Sequence, residues 1–230
     1  MRTWFIPLTI ALCSSWQSGF ADPTPTTAIG PIAPNAPIQK LLHHAARFSH
    51  NGYSIKPLAD FDIEARVLHV KSYNDDRESQ LSPIDFAVGW GPMSDQKVLD
   101  HIHIDQGNRF LYWHTNHMPV PRPQIEHNTA NLHLIPSDAN IARQLKQVTP
   151  GQVVQLKGYL VRVDARDGWR WVSSLTRTDV GKGACELLWV QHVSVPARDT
   201  IPVRSASLEP NVVHDEGSRP ANPVVAKVRD

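Results

Sequence analysis

The stretch from Gly151 to Val195 constrains the fold more than any other, because it carries the clearest strand patterns in the chain. Val153 to Val163 reads as a strand whose apolar phase shifts from Val154 and Leu156 to Val161 and Val163. Gly158 sits at the shift, and a one-residue shift at a glycine predicts a β-bulge. Asp167-Gly168 is a hairpin signal, with Trp169, Trp171 and Ser173 on one face of the returning strand. Gly181-Lys182-Gly183 predicts a second turn, and Glu186 to Val195 a last strand with Leu187, Trp189, Val193 and Val195 inward. Isolated strands are marginal in water, so this region commits the chain to a larger sheet.

The preceding segments supply its partners. Phe61, Ile63, Ala65 and Val67 alternate with charged residues, the pattern of a half-buried strand. Tyr73 to Ser82 is polar and predicts a loop; Pro83 to Pro92 is a short apolar run ending in Gly89-Trp90-Gly91-Pro92. Ser94 is placed to cap a short helix over Asp95 to Leu99. Ile102 to Ile104 and Arg109 to His114 predict two short strands joined at Gln106-Gly107-Asn108. Thr115 to Asn128 carries Pro119, Pro121 and Pro123 and predicts a loop, since proline cannot donate to a ladder. Asn131 to Pro136 predicts a strand, and Ser137 the cap of a helix whose core face is Ile141, Ala142, Leu145 and Val148. Upstream, Ile38, Leu41, Leu42, Ala45 and Phe48 recur at helical spacing, predicting an amphipathic helix from about Pro37 to Phe48. The expected architecture is α+β and mostly β: a small OB-like or related mixed-β barrel with one capped helix, plus the N-terminal helix.

The flanks read as non-core. Arg2 followed by the apolar run Trp4 to Leu12 predicts a signal peptide, with Gly19-Phe20-Ala21 placing cleavage after Ala21. Ile10-Ala11-Leu12-Cys13 offers an alternative, since it resembles a lipobox in which Cys13 would be lipidated. Residues 22–36 form a Pro/Thr-rich spacer, residues 37–195 a single mixed-β domain, and residues 196–230 a tail without period, expected to be disordered. No other apolar run approaches the length of a transmembrane helix, so export to the periplasm or medium is the expected localisation. The formal net charge of the whole chain is +1, which disfavours a general nucleic-acid binder.

Three sets of residues could carry chemistry. The chain has two cysteines, and cleavage after Ala21 leaves Cys185 without an intramolecular partner. A catalytic cysteine needs a histidine and a group to orient it, and Asn131 and His133 are the candidates for a Cys-His-Asn set. His101, His103, His114 and His117 could offer imidazoles to a metal, for which zinc is suited; no HExxH-type motif or other cofactor signature accompanies them. Trp90, Trp113, Trp169 and Trp171, with Arg177, Asp179 and Glu186 nearby in the sequence or fold, form the candidate binding set for an oligosaccharide, a peptide or an envelope protein.

GWGPM (Gly89 to Met93), NLHLIP (Asn131 to Pro136) and SSLTRTDVGKGACE (Ser173 to Glu186) resemble strings in a family of exported bacterial proteins without an assigned activity. The resemblance covers Phe61 to Val195 and implies a bacterial envelope protein, but no substrate or site. The expected function is a binding or accessory module of the envelope. The alternative is a metal-dependent or cysteine-dependent envelope hydrolase.

Overall fold

The computed structural model describes residues 30–176, 179 and 185–196. The expected signal peptide with Cys13, most of the expected spacer, Arg177, the turn expected at Gly181-Lys182-Gly183 and residues 197–230 lie outside the described residues.

The predicted helix over Pro37 to Phe48 is instead two short strands, β1 (Ile38–Leu41) and β2 (Phe48–His50). The reason lies in the next element. β3 (Tyr53–Ser72) runs for 20 residues, far beyond the alternation recognised at Phe61 to Val67. β4 (Ile84–Gly89) pairs with only the Arg66 to Ser72 end of it, leaving the same edge unpaired lower down. β1 fills that edge against Ala59 to Asp62, and β2 against Tyr53 to Ile55. The open ladder outcompetes a helix, and Ile38 is left 72% exposed.

α1 (Gln96–Leu99) is capped by Asp95, whose carboxylate accepts from Lys97 N, while Ser94 bonds Gly91 O and Ala33 instead. β5 (His103–Gly107) and β6 (Phe110–His114) form a hairpin turned at Asn108 and Arg109, both at positive φ. The proline-rich loop holds a short helix, α2 (Arg122–His127); Pro121 precedes it and Pro123 lies in its first turn, where no intrahelical donor is needed. β7 (Thr129–Pro136) leads into α3 (Ala139–Leu145), whose N-cap is Asp138 rather than Ser137. β8 (Val153–Asp164), β9 (Arg170–Val172) and β10 (Glu186–Ser194) complete the sheet.

The fold is mostly β. The main sheet has the order β1-β3-β4-β7-β10-β8-β9, and a further β3–β8 pairing closes β3, β4, β7, β10 and β8 into a barrel. β10 lies parallel to β7 and antiparallel to β8. Inside are Phe61, Ile63, Phe86, Leu132, Leu156, Leu188 and Val190, with Ile141 and Leu145 of α3. β8 itself alternates without a break, Leu156 and Leu160 facing the barrel and Val161 and Val163 the cluster outside it, so the bulge predicted at Gly158 is not in this strand. The extra residues lie in its neighbours: the registers slip at Leu58 of β3 and Gln191 of β10. Beyond the slip, β3 and β8 leave the barrel and fold over the outer face of β7 and β10. Leu187 and Trp189 point into that second cluster rather than into the barrel, and Val195 is 43% exposed.

Candidate active site

Strand alternation assigns each side chain its face. Ile84, Phe86 and Val88 fill the barrel, so Asp85 lies on the outer face of β4. Leu132 and Leu134 point inward from β7, so Asn131 and His133 point outward. Asp85 and His133 are direct partners across the antiparallel ladder, and Leu187 neighbours His133 on the other side. Cys185, two residues before Leu187, therefore reaches the same stripe.

Asp85 is fully buried and receives four donors. Its Oδ2 accepts from His133 Nδ1 at 2.9 Å and from Asn131 Nδ2 at 3.5 Å. Its Oδ1 accepts from Arg109 Nη1 at 2.9 Å and from the Ser82 hydroxyl at 3.4 Å. Arg109, aimed inward by the hairpin turn, also grips Asp76 through Nε and Nη2, both at 2.7 Å, and lies 3.7 Å from the Tyr73 ring centroid. Burial and the nearby Asp85 carboxylate push the Tyr73 hydroxyl up to about 12. From the other side, Gln106 bonds both Asn131 and His69.

The His133 imidazole is hydrogen-bonded to Asp85, and Cys185 lies close enough to act on its charge. The Cys185 Sγ lies 3.8 Å from Arg109 O, and Trp171 covers the imidazole with ring centroids 4.9 Å apart. Burial opposes a charge on His133, but Asp85 and Cys185 outweigh it and push the group up to about 10. The structure thus places Cys185, His133 and Asn131 on one stripe and sets Asp85, which the expected set lacked, against the imidazole. Asp85 orients the imidazole; Asn131 stands one step behind, because strand pairing puts Asp85 directly opposite His133. Asp85 and Arg109 escaped sequence reasoning, although a lone carboxylate between Ile84 and Phe86 signals a buried, paired acid.

A raised pKa makes a definite pH prediction. His133 contributes stability in full below its ordinary value near 6.5, and that contribution is lost as pH rises through about 10. The urea midpoint should therefore fall between about pH 7 and about pH 9.5, and a His133→Gln variant should show less of that fall. A level midpoint in the parent protein would contradict a buried imidazolium.

The remaining candidates separate. Trp90 and Trp113 are buried in two different clusters, so neither presents a ring face; packing claims both. Trp169 and Trp171 are half-buried neighbours 6.1 Å apart, and only Trp171 reaches the Cys185 stripe. Asp179 accepts from the Ser174 hydroxyl at 2.6 Å, and Glu186 is buried at the end of the barrel. His101, His103, His114 and His117 do share one cavity of about 160 Å³. Its central pair, His103 and His114, stack with centroids 4.6 Å apart, and among the described residues no three His, Cys, Asp or Glu side chains converge as a metal site.

No protein-family model, curated protein or solved structure matches the chain.

Proposed function

We propose that this is an exported envelope protein with an OB-type barrel, which acts on its ligand through Cys185, the part-exposed end of the buried stripe outside β4 and β7. In chain order the barrel strands are β3, β4, β7, β8 and β10, so they close in the order 1-2-3-5-4. The parallel pair joins the third and fifth, and α3 connects the third and fourth. That arrangement supports the OB reading, and OB barrels bind ligands on the second and third strands beneath the loops that follow the first and fourth. Here those loops and the hairpin they lead into bring Tyr73, Asp76, Trp171 and Cys185 to that face.

The observation that carries the chemistry is the His133 imidazole, fixed by Asp85 through Nδ1 at 2.9 Å on the stripe that Cys185 reaches. Such a set suits hydrolysis of an ester or amide. The Cys185 sulfur attacks the carbonyl carbon and forms a C–S bond as the C–O or C–N bond breaks. His133, which holds the thiol proton, gives it to the departing alcohol or amine. Water then attacks the thioester, returns a proton through His133 to the sulfur, and releases the acid. Asp85 holds the ring in place throughout. Trp171 offers a wall against which a peptide or saccharide can lie.

Iodoacetamide alkylation tests the reading. At about pH 7, Cys185 should react roughly tenfold faster in the folded protein than in urea, and His133→Ala should abolish the difference. A folded-state rate no higher than the denatured rate would remove the nucleophile and leave a pure binding module.

A further inference from the structure

The end of the β3–β8 ribbon carries a groove of about 500 Å³ whose lining includes Arg47, Ser54, Asp164 and Arg166. Asp164 is the focus of its charge. It accepts from Arg47 Nη1 at 2.7 Å, from Arg162 Nη2 at 2.7 Å and from Arg170 Nε at 3.0 Å. Arg166 is exposed at the rim and has no ion-pair partner among the described residues. Three guanidiniums thus share one carboxylate beside a fourth at the rim, a local excess of three positive charges on a chain whose formal net charge is +1. The next carboxylate, Asp167, is occupied by Arg77 at 2.8 Å.

Folding alone does not call for this arrangement. Lys56 stands directly opposite Arg162 in the β3–β8 ladder, and like charges so placed destabilise a sheet. One acid can hold three arginines in register, yet it leaves most of their N–H groups without an anion. Planar guanidinium forks match the oxygens of carboxylate and phosphate alike, and a local excess of positive charge favours the more highly charged phosphate. The groove is much larger than a phosphate group, which leaves room for the organic part of a ligand.

We propose that this groove is a binding site for a phosphorylated ligand, separate from Cys185 and independent of its chemistry. Two sources carry that group, a soluble phosphate compound or a phospholipid headgroup. The purified protein is titrated calorimetrically with inorganic pyrophosphate, and sedimented with vesicles of phosphatidylglycerol or of phosphatidylcholine, all at low ionic strength. Binding of pyrophosphate but not vesicles points to a soluble ligand; binding of phosphatidylglycerol vesicles but not pyrophosphate points to a headgroup; binding of both supports the shared phosphate chemistry. Arg166→Glu with Arg170→Glu should weaken whichever binding occurs by at least about tenfold while leaving the circular dichroism spectrum and Cys185 alkylation unchanged. Arg143→Glu with Lys146→Glu on α3 makes the same change in net charge and should leave binding within about twofold. The site is refuted if neither probe binds, or if the two double variants weaken binding equally.

Discussion

Asp85→Ala is expected to lower stability by about 3–5 kcal/mol, enough to unfold a marginal protein. The carboxylate is fully buried and is the shared acceptor for Arg109, His133, Asn131 and Ser82. Arg109 retains Asp76, but His133 keeps no other carboxylate among the described residues, so a buried imidazolium would be stranded. Asp85→Asn retains the shape without the charge and should lose less. Urea denaturation of the three proteins measures the difference, with Cys185→Ala as a reference expected within about 1 kcal/mol of the parent. A loss below about 1 kcal/mol for Asp85→Ala would mean that the network contributes nothing to the fold.

Gly158→Ala is expected to cost about 3 kcal/mol or more, although it adds a single methyl group. A Cβ at Gly158 would lie 1.9 Å from the Trp189 carbonyl oxygen. That oxygen belongs to backbone paired with β8, so relief requires the β8–β10 ladder to part at the place where its register slips. Gly168→Ala makes a useful contrast. Its φ of +88° strains any L side chain, but the space is open, and about 1–2 kcal/mol is expected. Thermal midpoints of the two variants should rank in that order; equal midpoints would show that the approach to Trp189 is not tight in solution.

The bulge region shows how far one-dimensional pattern reaches. The change of apolar face along β8 was legible because alternation is a property of neighbouring residues. That the extra residues lie in the neighbouring strands and not at Gly158 was not, since Leu58 and Gln191 are identified only by their partners. The N-terminal segment failed for the same reason. Ile38 to Phe48 has helical spacing, yet whether a ladder edge awaits it depends on where β4 stops pairing with β3. Cap assignments slipped by one residue at both Ser94 and Ser137 because an aspartate follows each, and the stronger acceptor took the cap. The tryptophans divided along burial: Trp90 and Trp113 had the composition of a platform and the position of a core.

Within the described residues, the sequence alone determined a mostly β fold, the Asp167-Gly168 hairpin and a capped helix between β7 and β8. These follow from periodicity, turn chemistry and side-chain type, all of which act over a few residues. Only the tertiary structure decided that β3 and β8 close the barrel, that Asp85 rather than Asn131 holds His133, and that Arg109 arrives from a separate hairpin to seal the carboxylate. Those outcomes depend on register between strands distant in the chain. A shift of one residue in register would carry each of these side chains to the opposite face of the sheet.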